Sequence, residues 1–155
     1  MTDVGREAVY AAEIAAFEGT AHESLVTFDE LVAIAHGVAS SEWWPHGPVT
    51  VVRARRDASS SSTRQQGSAA PVVRLAAPQM TPATLIHELA HVLAGLDAGH
   101  GPVFRRAHVD LAGHALGADE ADWLLDAYAA VGLQPGARRW PTPSLAVGRG
   151  GPIAM

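Results

Sequence analysis

The stretch MTPATLIHELAHVLAGL, residues 80–96, leaves the chain little choice of local structure. Thr81 can cap a helix by accepting a hydrogen bond from its first turn, and Pro82 suits the first helical position, where a missing N–H costs nothing. Leu85, Ile86, Leu89, Val92, Leu93 and Leu96 recur at helical spacing, so a helix is predicted over 82–96 with an apolar back turned to a core. Residues four apart on a helix differ by about 40° around the axis and about 6 Å along it. His87 and His91 therefore project side by side from the opposite face, with Glu88 at the rim.

Two neutral imidazoles at this spacing can share one cation; a third ligand completes a tripod and leaves a position for water. Zinc held in this way activates the water and polarises a carbonyl, and Glu88 is the flanking carboxylate expected to take the proton. The chain holds eight histidines and no cysteine, so any metal must be held by nitrogen and oxygen, and thiolate zinc ribbons, iron–sulfur clusters and disulfides are excluded. For the third ligand, His100 lies beyond a glycine turn in GHGPVF, and Asp97, His108, Asp110 and His114 are the other candidates. The metzincin spacing fails, because position 94 is alanine where that pattern needs glycine.

The segment HELAHVLAGLDAGHGPVFRRAHVDL resembles the core of the SprT-like zinc metallopeptidases, in which H-E-x-x-H is followed by H-G-x-x-F. It is also similar to a group of small, poorly characterised metallohydrolases from GC-rich bacteria, over residues 4 to about 131. The resemblance implies a zincin-like fold, His87, His91 and His100 as ligands of one zinc ion, and Glu88 as the catalytic base. The gap from His91 to His100 is shorter than in many SprT-like proteins, and the cysteine ribbon that several carry at the C-terminus is missing.

Around this centre the sequence predicts an α+β domain over residues 1–133, a short antiparallel sheet beside helices. A first helix is expected over 4–18, with Val4, Ala8, Ala11, Ala12 and Ala15 on its apolar stripe near Tyr10, Ile14 and Phe17, and Gly19 at its end. Thr27 and Glu30 form a capping-box pattern opening FDELVAIAHGVASSEWW, whose Leu31, Ile34, Ala35 and Val38 would face the core. Strands are expected at about 49–55 and 71–77, paired as a hairpin around a polar, mobile loop at about 56–70. Two more helices read out at 103–116 and 119–131, and the Pro/Gly-rich residues 134–155 read as an extended or disordered tail.

His108 and His114 are expected to be solvated or capping residues, and His22, His36 and His46 to lie outside the site. Trp43, Trp44, Trp123 and Trp140 are expected as packing anchors, while Tyr128 or an arginine is a candidate oxyanion donor. A net charge of −5 argues against nucleic acid as partner. No apolar run long enough to span a bilayer and no export signal is present, so the expectation is a cytoplasmic protein acting on a peptide or amide. The competing expectations are a non-catalytic zinc-stabilised interaction module and a hydrolase of a small amide or cell-wall fragment.

Overall fold

A computed structural model of the chain describes residues 5–146. Five α-helices and a three-stranded sheet follow in the order α1 (Arg6–Phe17), α2 (Phe28–Ala39), β1 (Thr50–Arg53), β2 (Ser62–Arg64), β3 (Val72–Leu75), α3 (Pro82–Ala94), α4 (Pro102–Ala115) and α5 (Ala118–Ala130). The fold is α+β. Among the described residues no helix is long and apolar enough to cross a membrane.

The helix ends follow from local chemistry. Thr27 and Glu30 exchange the two hydrogen bonds of a capping box at the start of α2. Thr81 Oγ1 accepts from Thr84 N at the start of α3, which stops at Gly95, whose φ of 96° suits a residue without a Cβ. Helix α3 is the centre of the molecule. Its Leu85, Ile86 and Leu89 are wholly buried, each contributing about 1.5–3 kcal/mol by leaving water. It packs against α4, α2, β2 and β3, while α1 lies on α5 and α5 on α4.

The sheet departs from the expected antiparallel hairpin. Strands β1 and β3 pair in parallel, Thr50 opposite Val72 through Arg53 opposite Leu75, and β2 pairs antiparallel on the other side of β3. β2 arises inside the run expected as a mobile loop. Its residues Ser62, Thr63 and Arg64 bury little apolar surface, but Ser61 is pinned on both sides: its N–H donates to Gln79 Oε1 at 2.6 Å and its Oγ accepts from Ala76 N at 2.9 Å. Backbone pairing needs no hydrophobic alternation, which is why this strand escapes a pattern-based reading.

Other expectations are corrected in the same way. On α1 the buried apolar residues are Val9, Ala12 and Phe17, whereas Ala11, Ile14 and Ala15 face outward; Val4 lies outside the described residues. Trp43, Trp44 and Trp140 are packed into the core, but Trp123 is 41% exposed. Residues 134–146 are irregular yet anchored. Arg138 donates two hydrogen bonds to Asp110, Trp140 Nε1 donates a third, and Ala146 N reaches Gly113 O. The rest of the expected tail, 147–155, lies outside the described residues.

Candidate metal centre

The helical spacing on α3 sets the His87 and His91 rings 5.1 Å apart. The third imidazole is brought in by the turn after the helix. Leu96–Ala98 makes one tight 3-10 turn, Gly99 adopts φ 56° and ψ −133°, a combination disfavoured for residues with a Cβ, and the chain folds back so that His100 is buried. Arg105, one turn into α4, donates from Nη1 to His100 O at 3.0 Å and fixes the reversal.

The outcome is that His100 Nε2 lies 3.3 Å from His87 Nε2, and one nitrogen from each of His87, His91 and His100 lies within 4.8 Å of the others. Two nitrogens bound to one tetrahedral zinc at about 2.05 Å would stand about 3.3 Å apart. The donor set thus fits a divalent cation that accepts imidazole nitrogen. Phe104 forms an apolar wall, its ring centre 4.6–5.1 Å from those of the three histidines.

Glu88 is buried next to His87, and Thr63 of β2 donates to its Oε1 at 2.8 Å. Burial pushes the Glu88 carboxyl above its ordinary pKa, partly opposed by His87 and by the Thr63 hydrogen bond. The carboxylate opens on a cleft of about 380 Å³. Tyr10, Glu23, Leu25, Ser61 and Thr84 line the same cleft, and the Tyr10 ring stacks on His87 with centres 5.2 Å apart and planes 14° from parallel.

Behind His87 stands a second layer. Glu13 of α1 accepts a hydrogen bond from His87 Nδ1 at 2.9 Å, and the same carboxylate oxygen lies 3.2 Å from His108 Nε2, at ion-pair distance though poorly aligned for a hydrogen bond. His108 Nδ1 in turn meets the Tyr128 hydroxyl at 2.6 Å. Burial alone would raise the Glu13 pKa, but His87 and then His108 outweigh it and hold the carboxyl well below the usual range. Burial alone would lower His87, but Glu13 reverses that and raises it; for His108 burial prevails and lowers it.

Of the residues expected at the site, His87, His91 and His100 are brought together with Glu88 beside His87, and of the alternative ligands only His108 comes near, in a second group with Glu13 and His87, whereas Asp97, Asp110 and His114 do not. Asp97 is exposed, Asp110 is engaged by Arg138 and Trp140, and His114 lies 3.0 Å from Ser41 Oγ and 2.6 Å from Ser144 O. His108 was expected as a solvated or capping residue and is fully buried, where Glu13 and Tyr128 give it polar neighbours. Tyr128, bound to His108, is not among the residues lining the cleft.

Glu13, Thr63 and Tyr10 were not anticipated. For Glu13 the signal was present in the spacing: it stands between Val9 and Phe17 at four-residue steps, an acid on a line whose neighbours are both wholly buried. Comparison of the chain with protein-family models, with curated proteins and with solved structures finds no match.

Proposed function

We propose that this chain is a zinc-dependent hydrolase of a peptide or amide bond, with a zincin-like arrangement of metal helix and sheet. The observation that carries the reading is the convergence of three imidazole nitrogens next to a buried glutamate that opens on a cleft. His87, His91 and His100 would hold the ion. When bound, it supplies Lewis acidity that activates water at neutral pH and polarises the carbonyl under attack. Glu88 takes the proton from the attacking water and delivers it to the leaving nitrogen. Thr63 steers the carboxylate through its bond to Oε1, and Phe104 keeps one side of the cluster dry.

A purely structural zinc site is the competing reading. Such sites are closed by four protein ligands, whereas the histidine group here offers three, and the Glu88 carboxylate interacts with one of them, His87. The deciding experiment combines elemental analysis with a panel of peptides and small amides, run with and without chelator, on the wild type and Glu88→Gln. Metal content should be equal in both, while chelator-sensitive hydrolysis should fall by about 10²–10⁴-fold in the variant. A wild type that binds no divalent metal, or a variant that hydrolyses as fast as the wild type, overturns the proposal.

A further inference from the structure

We propose that Glu13, seated by His108 and Tyr128, is the positioning residue that sets the tautomer of His87 and so presents its Nε2 to the cation. The inference rests on the metal centre above, but not on its being hydrolytic. One assignment of protons keeps a lone pair of His108 from facing the Glu13 carboxylate, although the Nε2 proton meets that carboxylate at ion-pair distance without a well-aligned hydrogen bond. The Tyr128 hydroxyl donates to His108 Nδ1 at 2.6 Å, so His108 carries its proton on Nε2, which lies 3.2 Å from Glu13 Oε2. The same oxygen accepts from His87 Nδ1 at 2.9 Å. With its proton committed to Nδ1, neutral His87 has its lone pair on Nε2, the atom that stands 3.3 Å from His100 Nε2.

Glu13, His87 and His108 also have donor atoms within 4.8 Å of one another, as an ion site of their own would require. For His87 to serve both groups at once it would have to surrender both ring protons to metals. The positioning role needs only neutral rings and one ionised carboxylate, and it accounts for why His108 is wholly buried beside Glu13.

The test is zinc titration against a chromophoric chelator for the wild type, Glu13→Gln and Tyr128→Phe, with denaturant unfolding of the metal-free forms and nitrogen-15 NMR of the histidine rings. Wild type should bind one zinc per chain, with His87 protonated at Nδ1. Glu13→Gln should weaken zinc binding about 10–100-fold. Tyr128→Phe should weaken it less, in the same direction. A merely structural role for Glu13 would lower metal-free stability and leave zinc affinity unchanged, which overturns the proposal. So do two zinc ions per chain, or His87 lacking its Nδ1 proton, an outcome read on the wild type without any variant. A wild type that takes up no zinc sinks the metal centre itself. Zinc binding weakened by Glu13→Gln in a chain that hydrolyses nothing sustains this inference and removes only the hydrolase.

Discussion

Thr63 is the residue that most changes the reading of the centre, because it ties the catalytic candidate on α3 to a strand that sequence pattern does not reveal. A hydrogen bond to a charged group contributes about 1.5–3 kcal/mol. Thr63→Val keeps the shape and removes the hydroxyl, so hydrolysis measured as kcat/KM should fall about 10–100-fold, at the 1.4 kcal/mol per decade that relates free energy to rate. Zinc content should stay that of the wild type; a rate within twofold of wild type would mean that Glu88 is positioned by something else. At this scale the four residues of the centre were legible, since helical spacing and a histidine beyond a turn are local features. His108 was not, and for Glu13 spacing marked only its place on the inner face of α1, because the roles of both depend on contacts between helices far apart in the chain.

Helices were legible for a different reason: Thr27, Thr81, Pro82 and the glycines that follow α1, α3, α4 and α5 mark their ends by chemistry that acts within a few residues. The sheet was not, because a parallel pairing of β1 with β3 and a polar edge strand are decided by what the chain meets after folding. The turn from Gly95 to His100 is the element on which the position of the third imidazole depends. A side chain at Gly99 would be forced into a backbone conformation costing about 1–3 kcal/mol. Gly99→Ala should therefore lower stability by about that amount and weaken zinc binding, as His100 is drawn away from His87. Equal zinc affinity in wild type and variant would show that the turn relaxes without moving the imidazole.

Across the whole molecule, the centre adds polar ties between three parts that already share the apolar core or the chain itself: α1 through Glu13, α3 through His87 and His91, and the 96–101 turn through His100. A ligand that binds only the folded state stabilises it by about 4 kcal/mol when present at a thousand times its Kd. Chelation should accordingly lower the melting temperature by several degrees and speed hydrogen exchange in α1 as well as in the turn; protection lost only from residues 95–101 would mean that α1 is held independently. The same layout sets an order of events during maturation. A nascent chain released as far as Ala115 already carries all three imidazoles and Glu13, yet it lacks α5, the helix that α1 packs on and that supplies Tyr128. If Glu13 and Tyr128 act as proposed, cation capture with full affinity would wait for the C-terminal helix to dock, and metallation would certify a finished fold instead of nucleating one, the reverse of a zinc finger.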